Sequence, residues 1–237
     1  MRIKTRLLAL VVAGLGAVAG AGFTPAANAA EMVMSVKTLL IAKQVDASQP
    51  DAVAWNKAPA TKVSLQPAFP GHPTIVGTPR IAEVTVQAVR SRDRLFVRLV
   101  WDDPTANGKP SDTAQFADGV AIQFPVNGKA STTPFMGDAK STVNIWRWRA
   151  DGYAEELVAD GFGTATSLHA QGEVSGVGVK SPQGWQVVLS RKLAGSEGTV
   201  NLTRFHEIPI AFAAWDGSNQ ERDGLKAVTL TWQKLRL

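Results

Sequence analysis

Two side chains have the chemistry of metal ligands: the amine of Lys226 and the thioether of Met136. Lys226 opens the run Lys226-Ala227-Val228-Thr229-Leu230-Thr231-Trp232. Side chains on a strand alternate faces, so a strand here puts Lys226 on the face of Val228, Leu230 and Trp232. An ammonium on an apolar face is costly unless it is paired, neutralised or coordinated. Two readings are open. The strand end frays and the head group reaches water, or the amine is neutral and serves as a ligand. Met136 lies in Pro134-Phe135-Met136-Gly137-Asp138, ahead of Ser141-Thr142-Val143-Asn144-Ile145-Trp146-Arg147-Trp148. A methionine in such a turn is usually core filler. A thioether and a neutral amine are also a possible axial pair for a haem iron.

Other chemistry is sparse. There is no Gly-x-Ser-x-Gly elbow, Walker loop, Gly-x-Gly-x-x-Gly or His-Glu-x-x-His. The three histidines, His72, His169 and His206, are scattered. His72, in a proline-rich loop, is the alternative haem ligand, and His206 reads as a strand-edge residue. The acid pairs Asp102-Asp103 and Glu155-Glu156 point to opposite strand faces, poor geometry for paired carboxylates, and are expected to be solvated or turn-forming. Asp216-Gly217 and Asp223-Gly224 bracket a loop before Lys226 and are turn chemistry first. Arg222 reads as a surface residue that would be within reach of a haem propionate. Cysteine is absent, which excludes disulfides, thiolate iron–sulfur ligation and covalent c-type haem. Any haem here must be the non-covalent b type.

Four blocks in order carry a family resemblance: Trp101-Asp102-Asp103; Asp118-Gly119-Val120-Ala121-Ile122-Gln123-Phe124-Pro125; the stretch from Met136-Gly137 to Trp148; and Ala214-Trp215-Asp216-Gly217 through Arg222-Asp223-Gly224-Leu225-Lys226. In these the chain resembles the haem b-binding gamma subunits of periplasmic molybdenum enzymes of the dimethyl sulfoxide reductase family, which include ethylbenzene dehydrogenase, dimethyl sulfide dehydrogenase, selenate reductase and chlorate reductase. The resemblance implies a methionine and a lysine on the iron, which carry over to Met136 and Lys226. It implies a non-catalytic subunit passing single electrons between an external carrier, a soluble c-type cytochrome, and the iron–sulfur beta subunit of a complex whose alpha subunit holds molybdopterin. An oxyanion reductase for chlorate or selenate is the favoured complex.

The elements that must position these residues read as short strands. The runs 82–88 and 95–101 alternate and are joined by Ser91-Arg92-Asp93-Arg94, a hairpin. Strand character recurs over 32–45, 120–124, 143–145, 153–158, 185–189 and 208–212. Residues 52–56 read as a short segment packing Trp55 inward. The 67–79 loop is rich in proline, and the 161–178 stretch is rich in glycine. No helical period of useful length follows the N-terminal segment. The fold class expected is all-β, an antiparallel β-sandwich with long loops, to which the resemblance adds a haem pocket toward one end.

Residues 1–29 read as a secretory signal: Arg2, Lys4 and Arg6, then an apolar stretch from Leu7 to Gly22, then Ala27-Asn28-Ala29. Residues 30–237 form the expected domain, in the periplasm with no membrane span after cleavage. Three of the 25 basic residues fall in the leader and none of the 20 acidic ones, so the domain's net charge falls to about +2. That balance does not indicate a nucleic-acid partner. The alternative reading is an exported β-sandwich carbohydrate-binding module without haem, which would expose tryptophans and need no lysine on an apolar face.

Overall fold

The computed structural model describes residues 33–42, 46–110, 112–168 and 173–237. The leader expected at 1–29, and His169, lie outside them. Among the described residues there are fourteen strands, three short 3-10 turns and no α-helix. The strands are β1 (Ser35–Leu40), β2 (Thr61–Ser64), β3 (Gln66–Pro67), β4 (Glu83–Arg90), β5 (Arg94–Asp102), β6 (Gly119–Pro125), β7 (Val143–Arg149), β8 (Tyr153–Ala159), β9 (Thr166–Ser167), β10 (Ser175–Lys180), β11 (Gly184–Lys192), β12 (Glu207–Trp215), β13 (Ala227–Val228) and β14 (Gln233–Arg236).

They form one continuous curled sheet in the order β10-β11-β5-β4-β1-β14-β12-β6-β7-β8-β9. It folds over into two layers, β10-β11-β5-β4 and β12-β6-β7-β8-β9, joined by β1 and β14. The β4–β5 hairpin is antiparallel as expected, with Ala88 opposite Val97. β1 departs from the antiparallel pattern: it runs parallel to both β4 and β14. Trp55 is buried in its 3-10 turn, its indole N–H donating to the Gln49 carbonyl.

The main core lies between the layers. Val86, Val97, Leu99 and Leu189 meet Val120, Ile122, Phe124, Trp146, Ile210 and Phe212 there. The even-numbered residues of β6, β7 and β12 therefore face inward. A charged cluster crosses the same space. Arg191 of β11 reaches Glu156 of β8 at 2.5 Å and Asn144 of β7 at 2.9 Å, with its guanidinium over Trp146. Both partners are 1% exposed, so each supplies the compensation the other needs to be buried. This corrects the expectation of solvated acids. Glu155 is also buried and paired, with Arg147.

The odd-numbered residues of β6, β7 and β12 are not solvated either. Ala121, Val143, Ile145, Ala211, and Leu157 and Ala159 of β8, form a second apolar cluster on the outer face. Loops must cover that face, because exposed apolar area of this extent is costly in water. The covering loops build the site.

Candidate functional site

The floor of the site follows from strand register. Ala213 lies opposite Ala121, and Ala121 opposite Arg147; Ala211 lies opposite Gln123, which lies opposite Ile145, and Ile145 lies opposite Leu157. These side chains share the outer face of the second layer. Three alanines among them leave a flat, shallow floor. Over it lies a cavity of about 560 Å³, within the ordinary size range of cofactor pockets.

The walls come from four loops. The proline-rich loop brings Phe69 and His72, and the glycine-rich loop brings Phe162. The rings of Phe69 and Phe162 meet edge to face at 4.4 Å, with Phe135 tilted against Phe69 at 6.1 Å. The third loop carries Met136. The fourth is the 216–226 segment, which ends on Lys226. Its Gly224 packs so closely that a Cβ there would lie 2.6 Å from Ile75 and 3.1 Å from Phe162.

Met136 occupies the left-handed backbone region, with φ 65°. A residue with a long side chain does so only when its surroundings hold it there, at a cost of about 1–3 kcal/mol. The restraint is visible. Gly161 N–H donates to the Met136 carbonyl at 3.0 Å, and Gly137 N–H to the Thr133 carbonyl at 3.2 Å. Gly137 also has a positive φ of 76°, and a Cβ there would sit 2.6 Å from the Ser141 carbonyl oxygen. The Phe-Met-Gly turn therefore requires its glycine, and it aims the thioether over the floor.

Lys226 is fixed from both sides. Its carbonyl accepts the Ala68 N–H at 3.1 Å, and β13 follows it at once, paired to β12 and β3. Lys226 and Val228 both line the cavity, as strand phase requires. The single strand expected over 226–232 does not form, however. Regular pairing stops after Val228, and Thr229, also on the lining, exchanges hydrogen bonds with the Phe212 backbone through its N–H and its hydroxyl. Trp232 returns to the outer-face cluster past this bend, its indole N–H donating to the Thr132 carbonyl.

The amine turns into the cavity rather than out to solvent. Its Nζ stands 3.7 Å from the Met136 sulfur, 5.3 Å from the Trp215 ring centroid and 6.0 Å from that of Phe162. Burial lowers its pKa from 10.5 to about 8; the Arg147 charge pushes the same way and Asp223 opposes it. Two residues ninety apart in the chain thus converge as a soft thioether and an amine poised to lose its proton. At 3.7 Å the two donors would have to part to hold an iron between them. A thioether, a depressed amine, an apolar cavity and an aromatic wall fit a haem, and the lining holds a single carboxylate, that of Asp223.

His72 also lines the cavity, with Nδ1 engaged by Thr74. Arg222 does not; it is exposed, its guanidinium 4.3 Å from the Phe116 ring centroid. The arginine on the lining is Arg147, which sequence reasoning did not single out. The alanine floor and the Phe69–Phe162 wall were missed too. A signal for the floor was present: 120–124 and 211–214 lack polar alternation, the mark of a strand covered on both faces. Of the seven tryptophans, six are buried and Trp215 lines the cavity, so the exposed tryptophans expected of a carbohydrate module are not found.

Fold and site define a β-sandwich with a cofactor-sized pocket that brings together a thioether and an amine. The ethylbenzene dehydrogenase family matches residues 52–178, a span that holds Met136 and ends before Lys226. The gamma subunit of chlorate reductase from Ideonella dechloratans is 48% identical over 99% of this chain and 100% of its own. A haem subunit assigned to a respiratory nitrate reductase of Haloferax mediterranei is 40% identical over 76% of this chain and 65% of its own. A protein of Bacteroides uniformis assigned to carbohydrate binding shares the fold at a TM-score of 0.51 with 9% identity, over 86% of this chain and 99% of that one. The chain belongs to the ethylbenzene dehydrogenase family, among the gamma subunits of the molybdenum enzymes it resembles.

Proposed function

We propose that this protein is a b-type cytochrome that relays single electrons within a periplasmic molybdenum enzyme, with chlorate reductase the favoured complex. The observation that carries the reading is the convergence of Lys226 Nζ and Met136 Sδ at 3.7 Å over the alanine floor. Identity to a chlorate reductase gamma subunit and to a haem subunit supports it. Met136 and Lys226 would hold the haem iron, and a chain without cysteine would hold the haem non-covalently. Bound there, the haem supplies a one-electron couple.

The residues of the chain do the rest. Burial and Arg147 lower the cost of deprotonating Lys226, so a metal ion displaces its proton more readily than from a free lysine. Phe69, Phe162 and the outer-face aliphatic residues exclude water, and water exclusion and the thioether both raise a haem potential. With Met136 and Lys226 both committed to the haem, the pocket would keep no donor for a substrate, which accords with a relay and not a catalyst. The partners are an iron–sulfur beta subunit, a molybdopterin alpha subunit and a soluble c-type cytochrome. In a chlorate reductase, electrons enter from the cytochrome and pass toward the iron–sulfur subunit. The leader at 1–29 would direct export.

Spectra of Met136→Ala and Lys226→Ala test the ligands. Met136→Ala should lose the thioether-to-iron charge-transfer band and lower the potential, and Lys226→Ala should open a position to added imidazole or cyanide. Unchanged spectra in both would overturn the pair and turn attention to His72. Acidic acetone should extract the pigment whole.

A further inference from the structure

At the far end of the same loop that delivers Lys226, three buried carboxylates meet with little to balance them. Asp103 follows β5, Asp118 precedes β6 and Asp216 follows β12. They are 2%, 0% and 5% exposed, and one oxygen from each lies within 4.8 Å of the others. Two oxygens bound to one calcium at about 2.4 Å can stand no further apart than about 4.8 Å.

A second observation, independent of the clustering, points to a ligand. Asp103 Oδ1 accepts bonds from the Thr105 N–H and hydroxyl, but its Oδ2 is buried with no hydrogen-bond partner. Beside it, Asn107 Oδ1 is also buried without a partner. The Asn107 N–H donates to Asp118 Oδ2, and its side chain packs against Gly217. Buried acceptors are satisfied in nearly all folded proteins, so two orphans at one acidic cluster call for a missing positive group.

Among the described residues, the nearby cations do not fill that role. Arg80 reaches Asp216 only at 3.6 Å from a largely exposed position. Lys180 spends its amine on the carbonyls of Asp103 and Ser181. Asp118 is held by Gly217 N–H, Asn107 N–H and Trp185 Nε1, yet its pKa is raised, first by burial and also by the Asp103 charge. Asp216 Oδ1 is occupied by Ser218 and Asn219. Each carboxylate is therefore oriented by other donors and keeps an acceptor position free. The donors are all oxygen, which selects a hard cation, and calcium, with its variable coordination, makes fewer geometric demands on three carboxylates from three strand ends than the strict octahedron of magnesium.

We propose that Asp103, Asp118 and Asp216 bind one divalent cation of the calcium class. The cation ties β5, β6 and the start of the 216–226 loop into one unit. That it thereby steadies Lys226 for a haem rests on the function proposed above; the cation site does not.

The test uses the full chain as purified, stripped with EDTA. Terbium is titrated in with excitation of tryptophan, since Trp185 is hydrogen-bonded to Asp118. Sensitised emission should saturate at one ion per chain and be displaced by calcium. Calcium at a hundredfold excess over its Kd should raise Tm by about 5–10 °C. Asp103→Asn should weaken binding at least tenfold, and Asp216→Asn serves if that variant does not fold. Absence of both the emission and the calcium-dependent rise in wild type, or emission undiminished in a folded Asp103→Asn or Asp216→Asn variant, overturns the proposal. A colourless preparation that still binds calcium would sink the haem reading and leave this site standing.

Discussion

Replacing Lys226 by methionine should stabilise the haem-free protein, and by an amount that pH controls. In the folded chain burial lowers the amine's pKa from 10.5 to about 8. At pH 7 the group is charged in both folded and unfolded states. The folded state then bears the whole cost of an ammonium in an apolar site, about 3 kcal/mol from the size of that shift. Between pH 8 and 10.5 the unfolded chain still binds the proton and the folded one releases it, so wild type gains stability as pH rises. At pH 10 the remaining cost is under about 1 kcal/mol. The Trp215 face, 5.3 Å from Nζ, favours the ammonium and offsets part of the cost, so about 2–3 kcal/mol is the expected gain at pH 7. For a domain of this size that is about 5–10 °C in Tm. Methionine has similar length and no charge, so the cavity stays filled. Calorimetry of apo wild type and apo Lys226→Met at pH 7 and pH 10 decides the matter. The difference should fall to about 3 °C or less at pH 10. Equal melting points at pH 7 would mean that the amine reaches water. A difference independent of pH would mean that packing, not charge, is responsible. Either result refutes the reasoning.

Gly137→Ala forces a Cβ to within 2.6 Å of the Ser141 carbonyl at a φ of 76°. It should cost about 1–3 kcal/mol by denaturant titration and displace Met136, seen as loss of the thioether band. Ala121→Leu places its extra carbons on the cavity floor beside Ala213 and Arg147. It should fold with its strand spectrum intact and bind haem at least tenfold more weakly in a Soret titration; full occupancy would show that the floor is not where the haem lies.

Much of this molecule is local and was legible in its residues. The alternation in 82–88 and 95–101, with a turn between, determines the β4–β5 hairpin, because period-two burial and turn chemistry need no distant partner. The phase of Lys226 against Val228 was legible for the same reason, and both side chains do line one cavity. The break in the strand after Val228 was not, although Trp232 returns to the face its phase assigns it. Regular pairing ends because the Thr229 hydroxyl accepts the Phe212 N–H while the Thr229 N–H donates to the Phe212 carbonyl, a partner seventeen residues away that no local pattern names. Glu156 looked like a solvated acid until Arg191 arrived from another strand to share its burial. Asp103, Asp118 and Asp216 are unremarkable turn residues apart, and become a concentration of buried charge only when three strand ends meet. The pairing of Met136 with Lys226 was suggested by family likeness alone. Only the tertiary structure brings their side chains to 3.7 Å: β13 must dock on β12 and β3, and the 134–137 turn must be held by Gly161, before either donor points at the other. Sequence determined which residues had the chemistry; long-range register decided where that chemistry converges, since contact between elements depends on the packing of every strand between them.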